Sequence, residues 1–324
     1  MSLKNFFKFT SILFLSLTFT ACQKSENNHS TDTNTSQQVL TIGFQKSQIG
    51  SLVARQQKFL EQEFPNTKIE WKEFPAGPQM LEALSAGSVD IGSVGNIPPI
   101  FAQAGNKTIT YIAYEPVPAK ALALIVPQDS KIRSIEDLKG KKIALQKGSA
   151  AHDLLNKILA KAGLNWKDIS PIWLPPAEAK AAFTKKSVDA WVSWDPYLSL
   201  TERDTNVRTV IDDSSFPAAY QFYIANPDYL KAHPDAVNKF ILASNQANIW
   251  IKNHPKESLD YYAKTIGLET DIAQKYLDKR SKDLRVSPID EVVIKSQQDI
   301  ADNFYNEKLI PIKIDIKKAV WTNK

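Results

Sequence analysis

The chain has 324 residues, of which 43% are hydrophobic and 23% are charged, and its formal net charge is +5 at neutral pH. This length supports a sizeable hydrophobic core and favours two domains. Cys22 is the single cysteine, which excludes an intrachain disulfide. The basic excess is small and forms no continuous stripe, so we expect no nucleic-acid binding.

The first 22 residues have the layout of a secretory signal. Lys4 and Lys8 form a short positive region, residues 9–19 are mostly apolar, and small residues lead to Cys22. The apolar run is too short, and too interrupted by Ser and Thr, for a permanent membrane-spanning helix. A cysteine at the cleavage point resembles the bacterial lipobox, which implies that Cys22 becomes a lipid-modified N-terminus. Ordinary cleavage near Cys22, giving a soluble product, is the alternative.

Residues 23–38 contain no large apolar side chain. Such a segment cannot bury enough surface to offset the entropy of ordering, so we predict a flexible tether. Loss of the two signal lysines lowers the net charge of the mature chain to about +3, a value that indicates no special affinity for nucleic acid or membrane surfaces.

Apolar runs then alternate with helical patterns. The first set predicts strands at 39–44, 68–74 and 89–93, with helices ending near Phe64 and spanning 78–86. The second set predicts strands at 121–126, 142–146, 172–174 and 190–194, with helices at 134–138, 149–162 and 177–185. From Pro227 the chain is largely helical. This alternation predicts parallel, helix-covered sheets and therefore an α/β fold.

Two segments of nine residues, 82–90 and 181–189, look alike. Each consists of a helix end, a Ser-Val-Asp turn and the start of a strand. The similarity favours two related lobes, although a common type of helix-to-strand connection would produce it too.

Binding residues are expected beyond the carboxyl ends of the parallel strands. Loops in this position follow Phe44, Ser93, Gln146 and Trp194. Three of them open a helix, and a helix N-terminus offers unpaired N–H groups and partial positive charge to an anion. A sulfonate suits such a site because it is always ionised and needs donors rather than a titrating partner. Helix capping is the alternative role for these loop residues, which include Gln45, Lys46, Gly95, Asn96, Ser149 and Ala150.

Other loop residues carry different expectations. Asp195 would repel a bound anion, so we expect it to cap a helix. The alternative is that it binds the ammonium group of an aminosulfonate ligand such as taurine. Trp191 and Trp194 are expected on one face of their strand, where they could pack an alkyl chain. His152 either donates to the ligand or faces solvent.

Cofactor and metal motifs are missing. The histidines lack metal-ligand spacing, and the Walker A, G-x-G-x-x-G and G-x-S-x-G patterns do not occur. We therefore predict no cofactor, no metal and no catalytic residues.

The loop residues also carry a family resemblance. The runs 73–84 and 98–104, together with Gln146-Lys-Gly-Ser-Ala-Ala-His152 and Val188-Asp-Ala-Trp-Val-Ser-Trp-Asp-Pro-Tyr197, closely resemble the aliphatic-sulfonate-binding proteins of bacterial ABC importers. The likeness covers essentially residues 39–321. It implies a type II periplasmic-binding-protein fold, with two α/β lobes joined by a two-crossing hinge and a ligand cleft between them.

The resemblance also implies an organisation and partners. We expect lobe 1 at 39–126 and 222–324 and lobe 2 at 127–221, with crossings near Val126 and Gln221. The implied partners are a small organic anion, an ABC permease and its ATPase, and the implied protein is a monomer in the periplasm, anchored by lipid. Residues implied to contact ligand are Gln45, Lys46, Gly95, Asn96, Ser149, Ala150, His152, Trp194, Asp195 and Gln221.

One departure from the family concerns Asn96, where relatives often carry an acid. The absence of that acid here favours plain alkanesulfonates over amino-bearing ligands. Taurine, nitrate, bicarbonate and thiamine precursors remain alternative ligands on the same fold. A cofactor-biosynthesis enzyme and a signalling receptor domain are alternative protein classes, and the export signal argues against the enzyme.

Overall fold

The computed structural model describes residues 38–279 and 285–322. The predicted signal, Cys22 and almost all of the predicted tether lie outside the described residues. Within these ranges, no helix combines the length and apolar character needed to cross a membrane.

Ten strands among the described residues form two five-stranded sheets. The first sheet has the order β2-β1-β3-β10-β4 and contains β1 (Gln38–Phe44), β2 (Thr67–Glu73), β3 (Ile91–Val94), β4 (Thr110–Pro116) and β10 (Tyr220–Ala225). The second has the order β7-β6-β8-β5-β9 and contains β5 (Leu122–Pro127), β6 (Lys142–Leu145), β7 (Ser170–Trp173), β8 (Ala190–Trp194) and β9 (Val207–Asp212).

The strand–helix alternation predicted parallel sheets. Both sheets are instead mixed, with parallel and antiparallel pairs. In the first sheet β1 pairs in parallel with β2 and β3, while β10 runs antiparallel to β3 and β4. In the second sheet β6 is parallel to β7 and β8, while β5 runs antiparallel to β8 and β9. The antiparallel strands are those that adjoin the passages between the sheets.

Helices cover both sheets. Those between the strands are α1 (Ile49–Gln57), α2 (Phe59–Glu63), α3 (Gly77–Ser85), α4 (Ile97–Ala104), α5 (Ala150–Lys161), α6 (Pro176–Thr184) and α7 (Tyr197–Asp204). The C-terminal helices are α8 (Pro227–Ala232), α9 (Ala236–Asn253), α10 (Pro255–Ile266), α11 (Thr270–Lys279) and α12 (Glu291–Asn306). One predicted helix is broken: Lys58 adopts a left-handed conformation with φ of 56°, which separates α1 from α2.

The chain passes from the first sheet to the second over residues 117–121 and returns over residues 213–219. The return passage ends just before Gln221. The first passage precedes Val126, where the crossing was expected, because Val126 lies in β5 and pairs with Arg208 of the second sheet. A single apolar run gives no sign of which sheet it joins, so the sequence could not place this point.

The Ser-Val-Asp turns occupy equivalent places in the two sheets. Asp90 Oδ2 accepts a hydrogen bond of 2.7 Å from the backbone N–H of Thr41 in β1. Asp189 Oδ2 accepts one of the same length from Lys142 in β6. Each Ser hydroxyl donates to a carbonyl five residues earlier, at 2.9 Å. The similar segments thus build the same connection between helix and sheet twice.

Each sheet has apolar clusters on its faces. On the first sheet, α3, α4 and α12 cover one face, with Met80, Ile100 and Phe304 fully buried, and α2 and α9 cover the other. On the second sheet, α5 packs on one face, and α6 and α7 pack on the other. Both sheets are therefore closed to water on their faces and leave the strand ends as the place for a site.

Candidate functional site

A cleft pocket lies at the carboxyl ends of the parallel strands, between loops of the two sheets. It encloses about 670 Å³ of space, part of it open to solvent. Its lining includes seven of the predicted site residues: Gln45, Gly95, Ser149, Ala150, Trp194, Asp195 and Gln221. The lining also includes residues that the sequence did not single out, namely Ser47, Gln48, Gly77, Pro98, Val117, Pro118, Ala121, Leu122 and Tyr276.

Gln45 and Gln48 form a buried amide pair after β1. Their side-chain nitrogens donate to the carbonyl oxygen of Ser93 at 3.0 and 2.9 Å. Gln48 Oε1 also accepts from the backbone N–H of Gln45 at 3.0 Å. Each amide nitrogen carries two N–H groups, so the bond to Ser93 leaves a second donor on each. These residues can therefore hold an anion without a net charge.

Gln221 is held differently. Its Nε2 donates to Ser93 Oγ and to Glu115 Oε1, both at 2.8 Å. Both amide N–H groups are thus used within the protein, and only the amide oxygen remains for the cleft. Gln221 lines the pocket as predicted, but in this arrangement it cannot donate to an anion.

The N-terminus of α5 points at the cleft. Gly148 has a left-handed φ of 70°, which permits the tight turn into the helix. Ser149 is the N-cap, but its hydroxyl donates to the carbonyl of Gln146 at 2.8 Å and does not cap the helix N–H groups. The first N–H groups of a helix have no partner within the helix, so α5 offers donors and partial positive charge to this pocket.

Gly95 faces this helix end from the first sheet. A Cβ atom at Gly95 would lie 3.3 Å from the Cβ of Ala150. The two sheets therefore approach each other closely here, and a larger side chain at position 95 would fill the entrance to the N-terminus of α5.

Asp195 is the only carboxylate among the described residues that line this pocket. Its side chain is 1% exposed, and its Oδ2 lies 2.9 Å from the Nζ of Lys279 in α11. Its Oδ1 accepts from the backbone N–H and the hydroxyl of Ser199, at 3.0 and 2.6 Å. The capping role was thus expected, but the lysine partner was not, because Lys279 lies 84 residues away.

Trp191 and Trp194 lie on opposite faces of β8, which corrects the expectation that they share one. Their spacing of three residues is odd, so the alternation of a strand separates them. Trp191 is buried among Phe183 and Leu198, while Trp194 packs toward the α5 side and lines the pocket. Trp194 also makes an edge contact with Tyr197, with ring centroids 5.9 Å apart.

His152 does not face solvent, which corrects one of the two expectations for it, and it lies outside the lining of the cleft pocket. It is 1% exposed and is surrounded by four aromatic rings, Phe101, Trp166, Trp173 and Phe304. Its Nδ1 accepts from the backbone N–H of Gly148 at 3.2 Å. Burial, and secondarily the charge of Lys147, lowers the pKa of His152 to about 3. This neutral histidine therefore fixes the turn before α5.

Lys46 and Asn96 also lie outside the lining of the cleft pocket. Lys46 is partly exposed and its Nζ lies 3.8 Å from Glu73. Asn96 is 2% exposed, and its Nδ2 donates to Asp153 Oδ2 at 2.8 Å. The direction of a loop side chain depends on contacts with distant segments, which explains why neighbouring loop residues could not be told apart in the sequence.

The cleft pocket offers an anion neutral donors and, among the described residues of its lining, no unpaired negative charge. The described lining contains no lysine, arginine or histidine, and its one carboxylate is paired with Lys279, so no net charge opposes an anion there. Within the same described ranges, no cluster of three or more His, Cys, Asp or Glu side chains could hold a metal ion. The donors are neutral amides and backbone N–H groups at a helix start, which is the chemistry of an anion-binding site.

Comparisons with known proteins agree with this geometry. The alkanesulfonate-binding protein SsuA from Xanthomonas axonopodis pv. citri, solved with bound MOPS, is similar at 41% identity and a TM-score of 0.85 over 87% of this chain and 98% of that chain. The periplasmic aliphatic sulphonate binding protein SsuA from Escherichia coli is similar at 41% identity and a TM-score of 0.80, over 88% and 98% of the two chains.

The fold also occurs in an enzyme. The desulfurization enzyme DSZB matches at 15% identity and a TM-score of 0.63, over 87% of this chain and 96% of that chain, which shows a shared fold alone.

The predicted fold class, two α/β lobes of the periplasmic-binding type, is confirmed by the SsuA structures. A model of the NMT1/THI5-like family matches residues 45–258. The chain therefore belongs to the NMT1/THI5-like family and, within it, resembles the aliphatic-sulfonate-binding proteins.

Proposed function

We propose that this chain is the substrate-binding component of an ABC importer and captures alkanesulfonates outside the cytoplasm. The observation that carries the proposal is that the N-terminus of α5 lies beside neutral amide donors, in a pocket where the single carboxylate of the described lining is paired with Lys279. The 41% identity to two alkanesulfonate-binding proteins over nearly the whole globular part supports it.

A sulfonate suits this pocket for two reasons. Its charge does not depend on pH, so it needs donors and no titrating base. Its three oxygens can be shared among Ser149, Ala150 and the free amide N–H groups of Gln45 and Gln48. The alkyl part would pack against Trp194 and the apolar residues Val117 and Leu122, which lie in the same lining. We infer that Gly95 admits the headgroup by leaving the helix start uncovered.

The two sheets support the proposal of two lobes. Lobe 1 would contain residues 38–116 and 220–322, lobe 2 would contain residues 122–212, and the two passages would form the hinge. Ligand binding would favour a closed arrangement of these lobes by contacting both at once. A membrane permease with its ATPase would then recognise the closed form, as the resemblance implies.

The proposal extends to location. Lys4, Lys8 and the apolar run that leads to Cys22 support an exported lipoprotein, attached through Cys22 and separated from its membrane by residues 23–38. We propose the periplasm as its compartment, and a monomer as its working form. Labelling of cells with an alkyne-tagged fatty acid tests the anchor: wild type should be labelled, while a Cys22→Ser chain should not.

Binding without chemistry is also part of the proposal. The lining of the cleft pocket among the described residues offers serine hydroxyls but no histidine or lysine to act as their base, and His152 is buried elsewhere. Incubation of the protein with an excess of alkanesulfonate should therefore leave the ligand unchanged by mass spectrometry. Turnover would favour an enzyme on this fold.

The central experiment is a titration of residues 23–324, in phosphate buffer, followed by the fluorescence of Trp194. The ligands are ethane-, butane- and octanesulfonate, taurine, nitrate, sulfate and a thiamine-precursor pyrimidine, and a Trp194→Phe variant identifies the reporting tryptophan. Saturable binding of the alkanesulfonates, with ethanesulfonate ahead of taurine, is the expected result. A response only to taurine, nitrate or the pyrimidine would contradict the proposed substrate, and no binding at all would contradict the proposed function.

A further inference from the structure

A second cavity, here called the hinge chamber, adjoins the cleft pocket. It is bounded by the polar residues Asn96, Asp153, Lys157 and Asp213 and by the apolar rings of Phe216 and Tyr220. Its space is about 780 Å³ and includes part of the open solvent.

The hinge chamber is continuous with the cleft pocket. The two share lining residues from both sheets and from the first passage: Gly95, Val117, Pro118, Leu122 and Ala150. Ala150 belongs to the helix start that is proposed to hold the sulfonate. A ligand whose sulfonate contacts α5 can therefore extend its other end into the chamber.

Asn96 lines this chamber and carries an unpaired acceptor. Its Nδ2 donates to the carboxylate of Asp153, which fixes the orientation of the amide because a carboxylate only accepts. Its Oδ1 is buried without a hydrogen-bond partner, although the whole residue is only 2% exposed. A buried carbonyl oxygen without a donor is costly, and a ligand N–H would relieve that cost.

Asp213 presents a second unpaired acceptor. Its Oδ1 is buried without a hydrogen-bond partner. Burial raises the pKa of Asp213 to about 6, while backbone hydrogen bonds from Lys120 and Leu122 oppose the rise and the charge of Asp212 adds to it. The carboxyl group is still largely ionised at neutral pH, so it is a partly buried negative charge, and among the described residues no lysine or arginine forms a salt bridge with it.

The remaining charged side chains of the chamber balance each other. Lys157 Nζ lies 2.8 Å from Asp153 Oδ2, and the same oxygen accepts from Asn96. Lys157 is thus committed to Asp153, and the net charge left in the chamber is that of Asp213. Two orphaned acceptors, one of them on the unbalanced carboxylate of Asp213, indicate a ligand that brings N–H donors and positive charge.

We propose that the hinge chamber binds the end of the ligand remote from the sulfonate, and that it selects tails carrying a protonated amine, with Asp213 as counter-ion and Asn96 Oδ1 as a second acceptor. This inference rests on the proposed function and narrows it to long zwitterionic sulfonates. A two-carbon aminosulfonate holds its ammonium beside the sulfonate, where the carboxylate of Asp195 is already paired with Lys279.

A series of matched ligand pairs of increasing chain length tests the proposal. Calorimetry at pH 7.5, in phosphate buffer, compares each n-alkanesulfonate with the ω-aminoalkanesulfonate of the same chain length, from two to six carbons. Wild type should bind the amine more weakly than the alkane at two carbons and about tenfold more tightly at the length that reaches Asp213, the size of one charge-assisted hydrogen bond.

Asp213→Asn should abolish the advantage of the amine and leave alkanesulfonate affinity within about threefold, because the amide keeps the shape but loses the charge. Asp212→Asn is the matched control: Asp212 caps the turn after β9 through Ser214, asparagine caps equally well, and loss of the Asp212 charge leaves Asp213 ionised because that charge raises the pKa of Asp213. The control should keep the amine preference.

Equal affinity for amine and alkane at every length, or an amine preference that survives Asp213→Asn, would overturn the inference. Both results would leave alkanesulfonate binding in place, so they would not touch the proposed function. Failure of every sulfonate to bind would instead overturn the proposed function itself. Thermal melts of each variant establish that the folded protein is being compared.

Discussion

Lys279 Nζ lies 2.9 Å from Oδ2 of Asp195, whose side chain is 1% exposed at the edge of the cleft pocket. The lysine lies in α11, which packs with the first-sheet helices, and the aspartate follows β8 of the second sheet. This pair therefore spans the cleft. It also explains how a carboxylate can lie in a pocket that suits anions, because the lysine cancels its charge.

The first prediction concerns a substitution that removes the positive charge of Lys279. Lys279→Met leaves Asp195 buried and unpaired, so we expect sulfonate affinity to fall at least about tenfold and the free energy of unfolding to fall by about 2 kcal/mol, less than for a fully buried pair because Lys279 is partly exposed. Calorimetry and urea unfolding measure the two quantities.

A double-mutant cycle separates charge from shape. Asp195→Asn keeps an acceptor for Ser199, so adding it to Lys279→Met should recover most of both losses. Lys275→Met, on the exposed side of the same helix, is the control and should change neither. A double variant no better than Lys279→Met would show that the lysine acts other than through Asp195.

The second prediction concerns the start of α5. Ser149→Asp places a good capping side chain and a negative charge at the positive end of the helix, so stability should change by no more than about 1 kcal/mol. The same carboxylate occupies the proposed sulfonate position, and repulsion should weaken sulfonate binding roughly 100-fold or more.

Ser149→Asn is the uncharged control, with the same shape and a good capping side chain. It should retain binding within about fivefold, a limit that allows for the loss of one neutral hydrogen bond. If the two variants bind sulfonate equally well, the anion does not bind at this helix end.

The third prediction follows from the low pKa of His152, about 3, against its ordinary value of 6.5. Between these values the unfolded chain binds a proton that the folded chain does not, so this histidine makes the protein less stable as the pH falls. Its contribution is fully present above pH 6.5 and lessens by about 2 kcal/mol between pH 6.5 and 5.

His152→Asn keeps an acceptor for Gly148 but cannot titrate. The variant should be less stable at pH 7.5, because ring contacts are lost, yet its free energy of unfolding should fall less steeply on acidification than that of wild type. Urea unfolding at several pH values gives both slopes, with His254→Asn as the control. Parallel slopes for His152→Asn and wild type would contradict the buried neutral state.

The fourth prediction uses the repeated turns. Gly87 has a φ of 72°, whereas its counterpart Lys186 adopts a φ of 56° with a side chain that disfavours this region. Lys186→Gly should stabilise the protein by about 0.5–1 kcal/mol, since relief of strain exceeds the greater entropy of glycine in the unfolded chain.

The ion pair of Lys186 with Asp129 is well exposed, so its loss subtracts little. Lys185→Gly, in the helical region just before, should destabilise instead and serves as the control. Urea unfolding compares the variants, and destabilisation by Lys186→Gly would contradict the equivalence of the two turns.

The sequence predicted those features that depend on local pattern. The Ser-Val-Asp turns at Asp90 and Asp189 and the strand–helix alternation follow from short-range rules, and the structure has both in place. Strands β4, β9 and β10 were not predicted. Their pairing with distant strands, rather than a strong alternation of their own, makes them strands.

Predicted site residues line the cleft pocket where a strand end fixes the position, as at Gln45 and Trp194. The sequence did not indicate the contacts that tertiary structure decides: His152 lies in an aromatic cluster that includes Phe304 of α12, and Lys279 reaches Asp195 from α11. Tyr276 and Gln48 line the pocket without any motif. No short-range signal in the chain distinguishes these residues from ordinary core or surface positions.

A crystal structure of residues 23–324 with butanesulfonate tests the central claim most directly. The account predicts sulfonate oxygens within hydrogen-bond distance of the backbone N–H groups at Ser149 and Ala150, and the alkyl chain against Trp194. A sulfonate bound away from α5, or a protein that crystallises without butanesulfonate at saturating concentration, would contradict it.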